Sequence, residues 1–382
     1  MASFRDRSLT VFFLMVLFIP VLRTSLSRKE ARDGLEEKRQ LTQMPGLPEG
    51  IEAMIAFPPQ FEAYFNDHFP FREFLIRSHN RLKIKLLKKS PLRDVLLGRN
   101  GWLFYARNNL LQDFLGLDPL LPEALHARQL LLEAKRDWLA SQGIPYLLVV
   151  APNKQTIYPE LMPEGYSRSR EPSRLDQLLD YLRAHSDIPV LDLRESLLSE
   201  KAGEKLYFST DTHWNPKGAF FGYRRIMETL HHRLDDPRLI PRSLADYRSI
   251  ATVRGGGDLA VMLGIESDIQ ESYDQLKPLF TPCSKEEKLS NYLNYDWKPF
   301  PEPIASHCTS SELNLVMFHD SFGIGLRPYL SEHFKRSVFV WYDNPDGDLF
   351  KAVILKEKPD IVVEEVVERI IPYMKCEPEF RP

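Results

Sequence analysis

The chain has three cysteines in 382 residues, too few for a disulfide-stapled scaffold and not arranged in a Cys/His zinc spacing. Its 10 histidines form no H-E-x-x-H, so no metal site and no cofactor are expected. Basic and acidic residues nearly balance at 50 and 53. Without a long basic run nothing is offered to a phosphate backbone, and nucleic-acid binding is set aside. Internal repeats and low-complexity tracts are also missing, which argues against solenoid and fibrous architectures. Long hydrophobic runs are scarce too. One, "SLTVFFLMVLFIPVL" behind "MASFRDR", spans roughly fifteen residues, short of the roughly twenty that cross a bilayer comfortably. It reads as a signal peptide or a signal anchor over residues 1–27, both readings staying open, and it implies export with membrane association through the N-terminus.

What is present is a globular composition, with 43% apolar residues to fill a core. Residues 28–75, charged and then Pro/Gly-rich ("MPGLPEG"), read as a tether and a juxtamembrane helix. From 76 to 382 short apolar runs alternate with helical periodicity. The runs are "IPYLLVVAP", "IPVLDL", "LNLVMF", "RSVFVW" and "DIVVEE"; the helices fall near 122–142, 172–185, 193–200, 323–334 and 346–357. Continuous apolar strands alternating with helices predict an α/β fold, a central parallel sheet with helices on both faces. Residues 252–312 break the alternation and read as an insertion lying over the site. Cys283 and Cys308 within it are a candidate pair, which leaves Cys376 over.

Two junctions in this pattern carry chemistry. In "YFSTDTHWNPKGAFFGY" (207–223), Asn215 and Pro216 make a helix start, so Asp211 and His213 fall in the turn before it. In "LNLVMFHDSFGIGLRPYL" (313–330), a strand ends at Phe318 and Ser321 falls in the strand-to-helix turn. There, following N–H groups and the helix dipole can stabilise an oxyanion at the sheet edge where α/β proteins bind ligands. Either junction alone is equally a capped polar turn; together they supply nucleophile, base and orienter. His213 would take the proton of Ser321, and Asp211 would fix the imidazole tautomer. His319 and Asp320 are rivals for those roles, but neighbours of a nucleophile at such a turn point away from its hydroxyl, and they are kept as supporting residues.

With "GRNGWLFY" (98–105), "PNKQTIYPELMP" (152–163), "TDTHW" (210–214), "GGDLAVMLG" (256–264) and "HDSFG" (319–323), the chain resembles the AlgX/AlgJ-type SGNH-like acetyltransferases over roughly residues 60–370, closer to the AlgJ arrangement. The resemblance implies an SGNH hydrolase-like catalytic domain, with Asp211, His213 and Ser321 matching the family triad in the family's order. It further implies O-acetylation of an exported polysaccharide such as alginate in the periplasm, and an integral membrane partner that delivers acetyl groups. An acetyl esterase and a non-catalytic polysaccharide-binding subunit are the alternatives. Lys154 and Tyr158, in the loop after the first long strand, are candidate substrate contacts, set against the more ordinary reading of a solvated lysine and a packed tyrosine. Trp214 would stack on a sugar ring or pack beneath its loop. Trp102 is expected in the core, and Arg369 in a structural ion pair.

Overall fold

The computed structural model describes residues 7–15, 42–69, 71–107, 109–168, 171–290, 292–293, 302–342 and 347–374. Residues 7–15 are helical; the rest of the expected signal or anchor, and Cys376, lie outside the described residues. Among the described residues no helix is long and apolar enough to cross a membrane. The chain divides into two compact units, Met1–Leu92 with Ala260–Ile269, and Arg93–Leu259 with Gln270–Pro382.

The first unit contains helices α1 (Ile51–His68) and α2 (Arg72–Leu87). Its second chain segment is tied to α2 by charge-assisted bonds, the strongest ordinary kind. The Arg77 guanidinium donates to the Gly264 carbonyl at 3.0 Å and pairs with Glu266 at 2.7 Å. Arg81 makes two parallel bonds to Asp268, at 2.6 and 2.8 Å.

The second unit is built on a seven-stranded sheet. Its members are β3 (Tyr146–Ala151), β4 (Val190–Asp192), β7 (Lys285–Lys288), β8 (Ile304–His307), β9 (Asn314–His319), β10 (Arg336–Trp341) and β11 (Ile361–Val367), in the order β4-β3-β11-β9-β10-β8-β7. Outside it, β1 (Val95–Leu97) pairs with β2 (Leu103–Tyr105), and β5 (Tyr247–Gly255) pairs with β6 (Gln270–Pro278), both antiparallel. Five consecutive strands, β4 to β10 in the sheet order, run parallel, as the apolar runs predict. β8 pairs antiparallel with β10, and β7 antiparallel with β8, so the expected parallel sheet is extended at one side into a mixed one. The outermost strand, β7, reads "KEEK" with every residue exposed, an edge strand without the apolar signal of a buried one and guarded by charge. The segment read as an insertion thus contributes to an antiparallel hairpin, to the first unit through Ala260–Ile269, and to the sheet's own far edge. Cys283 and Cys308 in this region form a disulfide.

Side chains alternate between two cores, as a pleat with period two requires. Leu147, Val149, Met317 and Val363 face one core with α8 (Pro216–Leu234), counting α3 (Leu110–Phe114), α4 (Pro122–Ser141), α5 (Lys154–Ile157), α6 (Arg174–His185) and α7 (Arg194–Glu200) before it. Leu148, Val150, Val316 and Val362 face the other, under α4 and α6. On that second face Glu364 is fully buried, bound by Lys135 Nζ and the Tyr146 hydroxyl at 2.7 Å each.

Candidate active site

The turn holding Asp211 and His213 is shaped from below and from the side. Asn215 caps α8, its Oδ1 accepting the N–H groups of Lys217 and Gly218 at 3.0 and 3.1 Å, with Pro216 next in the first turn where its missing N–H costs nothing. Glu271 on β6 accepts the hydroxyls of Ser209 and Thr210 at 2.6 and 2.7 Å. From beneath, Lys154 Nζ donates to the carbonyls of Phe208, Ser209 and Asp211 at 3.2, 3.1 and 2.6 Å.

The Ser321 turn joins β9 to α10 (Gly323–Leu330), counting α9 (Asp258–Leu263) before it. Asp320 is turned inward, accepting the N–H of Phe322 at 2.7 Å and that of Val367 at 2.6 Å. His319 is buried and bonds through Nδ1 to the Asp320 carbonyl at 2.6 Å. Burial lowers its pKa to about 4, so at neutral pH it is an uncharged structural group. Neither rival reaches the Ser321 hydroxyl in these bonds. Close packing also fixes the turn: a Cβ on Gly323 would lie 2.4 Å from that of His319, and one on Gly325 2.7 Å from Trp214 Nε1.

The two turns meet at the carboxyl edge of the parallel strands. His213 Nε2 lies 2.7 Å from Ser321 Oγ, and His213 Nδ1 lies 2.7 Å from Asp211 Oδ1. Asp211 Oδ1 also accepts the His213 backbone N–H at 3.1 Å, and Oδ2 accepts from Arg254 Nη2 at 2.7 Å. Burial pushes the Asp211 carboxyl up, but the bonds from His213 and Arg254 outweigh it and hold the group well below the usual carboxylate range. Asp258 stands on the other side of the ring. Its Oδ2 is 3.7 Å from His213 Nδ1, and it accepts the N–H and hydroxyl of Thr212 at 2.8 and 2.6 Å. Burial, then the nearby Asp211 charge, push Asp258 up. Asp211, His213 and Asp258 bring one donor atom each to within 4.8 Å of one another, but Arg254 already supplies positive charge to the cluster.

A cavity of about 820 Å³ opens beside this chain of bonds, reaching Ser321 and His213. The β5–β6 hairpin contributes Tyr247, Tyr273 and Leu276 to its wall, α10 contributes Ile324 and Pro328, and β10 ends in it at Trp341. An apolar, aromatic concavity with a few convergent polar groups is the usual form of a small-ligand site.

Two expected substrate contacts are corrected. Lys154 is 3% exposed and spent on three carbonyls, and Tyr158 is buried with its hydroxyl accepting the Leu206 N–H at 2.9 Å; neither lines the cavity. Trp214 is 3% exposed and donates to the Phe322 carbonyl at 3.1 Å, so it packs beneath its loop and reaches the cavity only as part of its wall. Trp102 is in the core. Arg369 stacks on Phe322, 5.3 Å from the ring centre, just after the serine. Sequence reasoning missed Arg254, Asp258 and Glu271. The signal available for the first two was "RGGGD": a Cβ on Gly257 would fall 2.5 Å from that of Asp211, so the glycine permits the close approach.

Residues 95–293 match the family model described as the SGNH hydrolase-like domain of the acetyltransferase AlgX. Two proteins named probable alginate O-acetylase AlgJ are similar in sequence. That of Pseudomonas fluorescens is 28% identical over 172 residues, 44% of this chain and 41% of the relative. That of Pseudomonas aeruginosa is 27% identical over 184 residues, 46% of this chain and 44% of the relative. The chain thus spans less than half the length of these relatives. In fold it is similar to the O-acetyltransferase domain of Pseudomonas putida AlgJ, with a TM-score of 0.51 at 18% identity over 75% of this chain and 95% of that one. Bacillus cereus PatB1 with a sulfonyl adduct gives a TM-score of 0.50 at 17% identity over 72% and 95%. At these identities the structural likeness speaks for the fold alone, an SGNH-like α/β fold with a mixed sheet and helices on both faces.

Proposed function

The chain belongs to the AlgX-type SGNH hydrolase-like family, and from that premise we propose that it is a serine-dependent O-acetyltransferase acting on hydroxyls of an exported polysaccharide. Alginate is the polymer in the names of its relatives. The observation that carries this reading is the continuous bond chain from Ser321 through His213 to Asp211, open to the cavity.

In this reading His213 Nε2 takes the Ser321 proton as Oγ attacks the donor's acetyl carbonyl. The Ser321 N–H, which makes no backbone–backbone bond among the described residues, is the candidate donor to the developing oxyanion. The acetyl–donor bond breaks, the leaving oxygen takes the proton from His213, and acetyl-Ser321 remains. A sugar hydroxyl then gives its proton to His213 and attacks the acetyl-enzyme. Ser321 leaves and recovers the proton, so the cycle is balanced. Periplasmic placement, attachment through the N-terminal segment and an acetyl-delivering membrane protein complete the proposal, since the reaction needs an activated acetyl group on the polymer's side of the membrane.

The test is acetyl release from a chromogenic ester by the full chain, wild type beside Ser321→Ala, with and without a mannuronate oligosaccharide. Serine-dependent acetylation of the sugar supports the transferase. Serine-dependent release into water with no transfer to any sugar supports the esterase, and no serine-dependent activity at all moves the reading to a binding subunit.

A further inference from the structure

In a Ser-His-Asp system the aspartate supplies the one negative charge that balances the imidazolium formed when the histidine takes the serine proton. Here that charge is already spoken for. Arg254 Nη2 bonds Asp211 Oδ2 at 2.7 Å, so the Asp211–Arg254 pair is neutral when His213 becomes a cation. A guanidinium this close, left alone, opposes the proton transfer.

Resting on the transferase reading above, we propose that Asp258 is the positioning residue that restores the missing negative charge, making the site a four-group relay in which Arg254 orients Asp211 and Asp258 balances His213. The geometry fits. Asp258 Oδ2 is 3.7 Å from His213 Nδ1, and the Thr212 hydroxyl stands between them, 2.6 Å from Asp258 Oδ2 and 3.2 Å from Nδ1. Thr212 also gives Asp258 its backbone N–H, so the carboxylate is held in place without spending a cation. In turn, the Asp258 N–H approaches Asp211 Oδ2 at 3.4 Å, joining the two acids in one frame. Two further charges face the cluster: Lys154 beneath the turn, on which Asp258 acts first and then Asp211 and Glu271, and Asp320 beside the serine, on which Arg369 acts first and His213 also acts. For the three groups nearest the ring, Asp211, Arg254 and Asp258, the sum is one negative charge, which falls to zero when His213 is protonated.

The charge ledger makes a prediction that a purely structural role does not. Asp258→Asn should lower kcat/KM for serine-dependent acetyl release by between about tenfold and a thousandfold, the range for one unit charge near 4 Å in a partly screened site. The acid limb of its pH–rate profile should move to lower pH, because the proton on the relay is held less tightly. Arg254→Met should move the limb the other way. The double variant regains the charge sum, so it should recover much of the lost rate and return the limb towards its wild-type position, a coupling opposite in sign to additive damage. Thermal unfolding of the full chain, measured beside each rate, separates misfolding from chemistry. The proposal is overturned if Asp258→Asn keeps wild-type kcat/KM, or if the folded double variant is no faster than Asp258→Asn. Loss of serine dependence in the wild type would instead sink the transferase reading, and that result is read in a different variant, Ser321→Ala.

Discussion

Replacing Asp211 by asparagine changes one atom and should disable the site. Asp211 uses both oxygens as acceptors: Oδ1 takes the His213 ring and backbone N–H groups at 2.7 and 3.1 Å, and Oδ2 takes Arg254 at 2.7 Å. An amide cannot serve both sides. With its oxygen towards His213, its NH₂ meets the Arg254 guanidinium donor to donor. With its NH₂ towards His213, it donates to Nδ1, forces the ring proton onto Nε2 and points that proton at Ser321, 2.7 Å away, so the base is lost. The same change in a serine protease costs about 10⁴ in kcat, or about 5 kcal/mol of barrier at 1.36 kcal/mol per tenfold. Release of p-nitrophenol from its acetate should therefore fall by roughly 10³ to 10⁴ in kcat/KM, with KM little changed. A loss under tenfold in a folded Asp211→Asn protein would refute the reasoning, since His213 would then hold its tautomer without help.

Acid should unfold the protein early. Burial lowers the pKa of both His319 and His333 from 6.5 to about 4, so the unfolded chain binds protons in that window that the folded chain does not. Stability is then full above pH 6.5 and falls as the pH drops towards 4, by roughly 3 kcal/mol for each histidine; a flat urea midpoint across this window would contradict it. Lys135→Met should cost about 3–5 kcal/mol by leaving buried Glu364 without its cation. Adding Glu364→Gln should recover most of that, measured by denaturant unfolding. Breaking the Cys283–Cys308 bond, whose partners are 25 residues apart, should lower stability by about 3.5 kcal/mol, seen as a reduced midpoint in reductant.

The parts of this molecule that announce themselves are those whose cause is local. "NP" at 215–216 caps a helix through its own next residues, and "LNLVMF" is buried in a central parallel strand, so both could be read from the letters. The meeting of His213 with Ser321 spans 108 residues, and was inferred only because the two residue types complete one chemistry. Nothing of that kind flags Arg254 or Asp258, which reach the site from 43 and 47 residues beyond Asp211, the first on a strand of mixed exposure and the second at the start of the short helix α9. Lys154 misled for the opposite reason. A lysine in a loop after a strand is ordinarily wet, and only the three carbonyls converging beneath the 208–211 turn make it an internal brace. The "KEEK" edge strand is likewise invisible, because its pairing is made by backbone groups that any sequence carries.

The sheet order also sets a timetable. β11, last of the strands in the chain, lies between β3 and β9, and its final residue closes the serine turn through the Val367 N–H on Asp320. As the ribosome releases the chain, the half that follows β3 and carries His213 and the half that ends in Ser321 are therefore both made before the strand that joins them. A chain that stops between residues 321 and 361 carries Asp211, His213 and Ser321 but lacks the strand that lies between β3 and β9 and the N–H that holds Asp320.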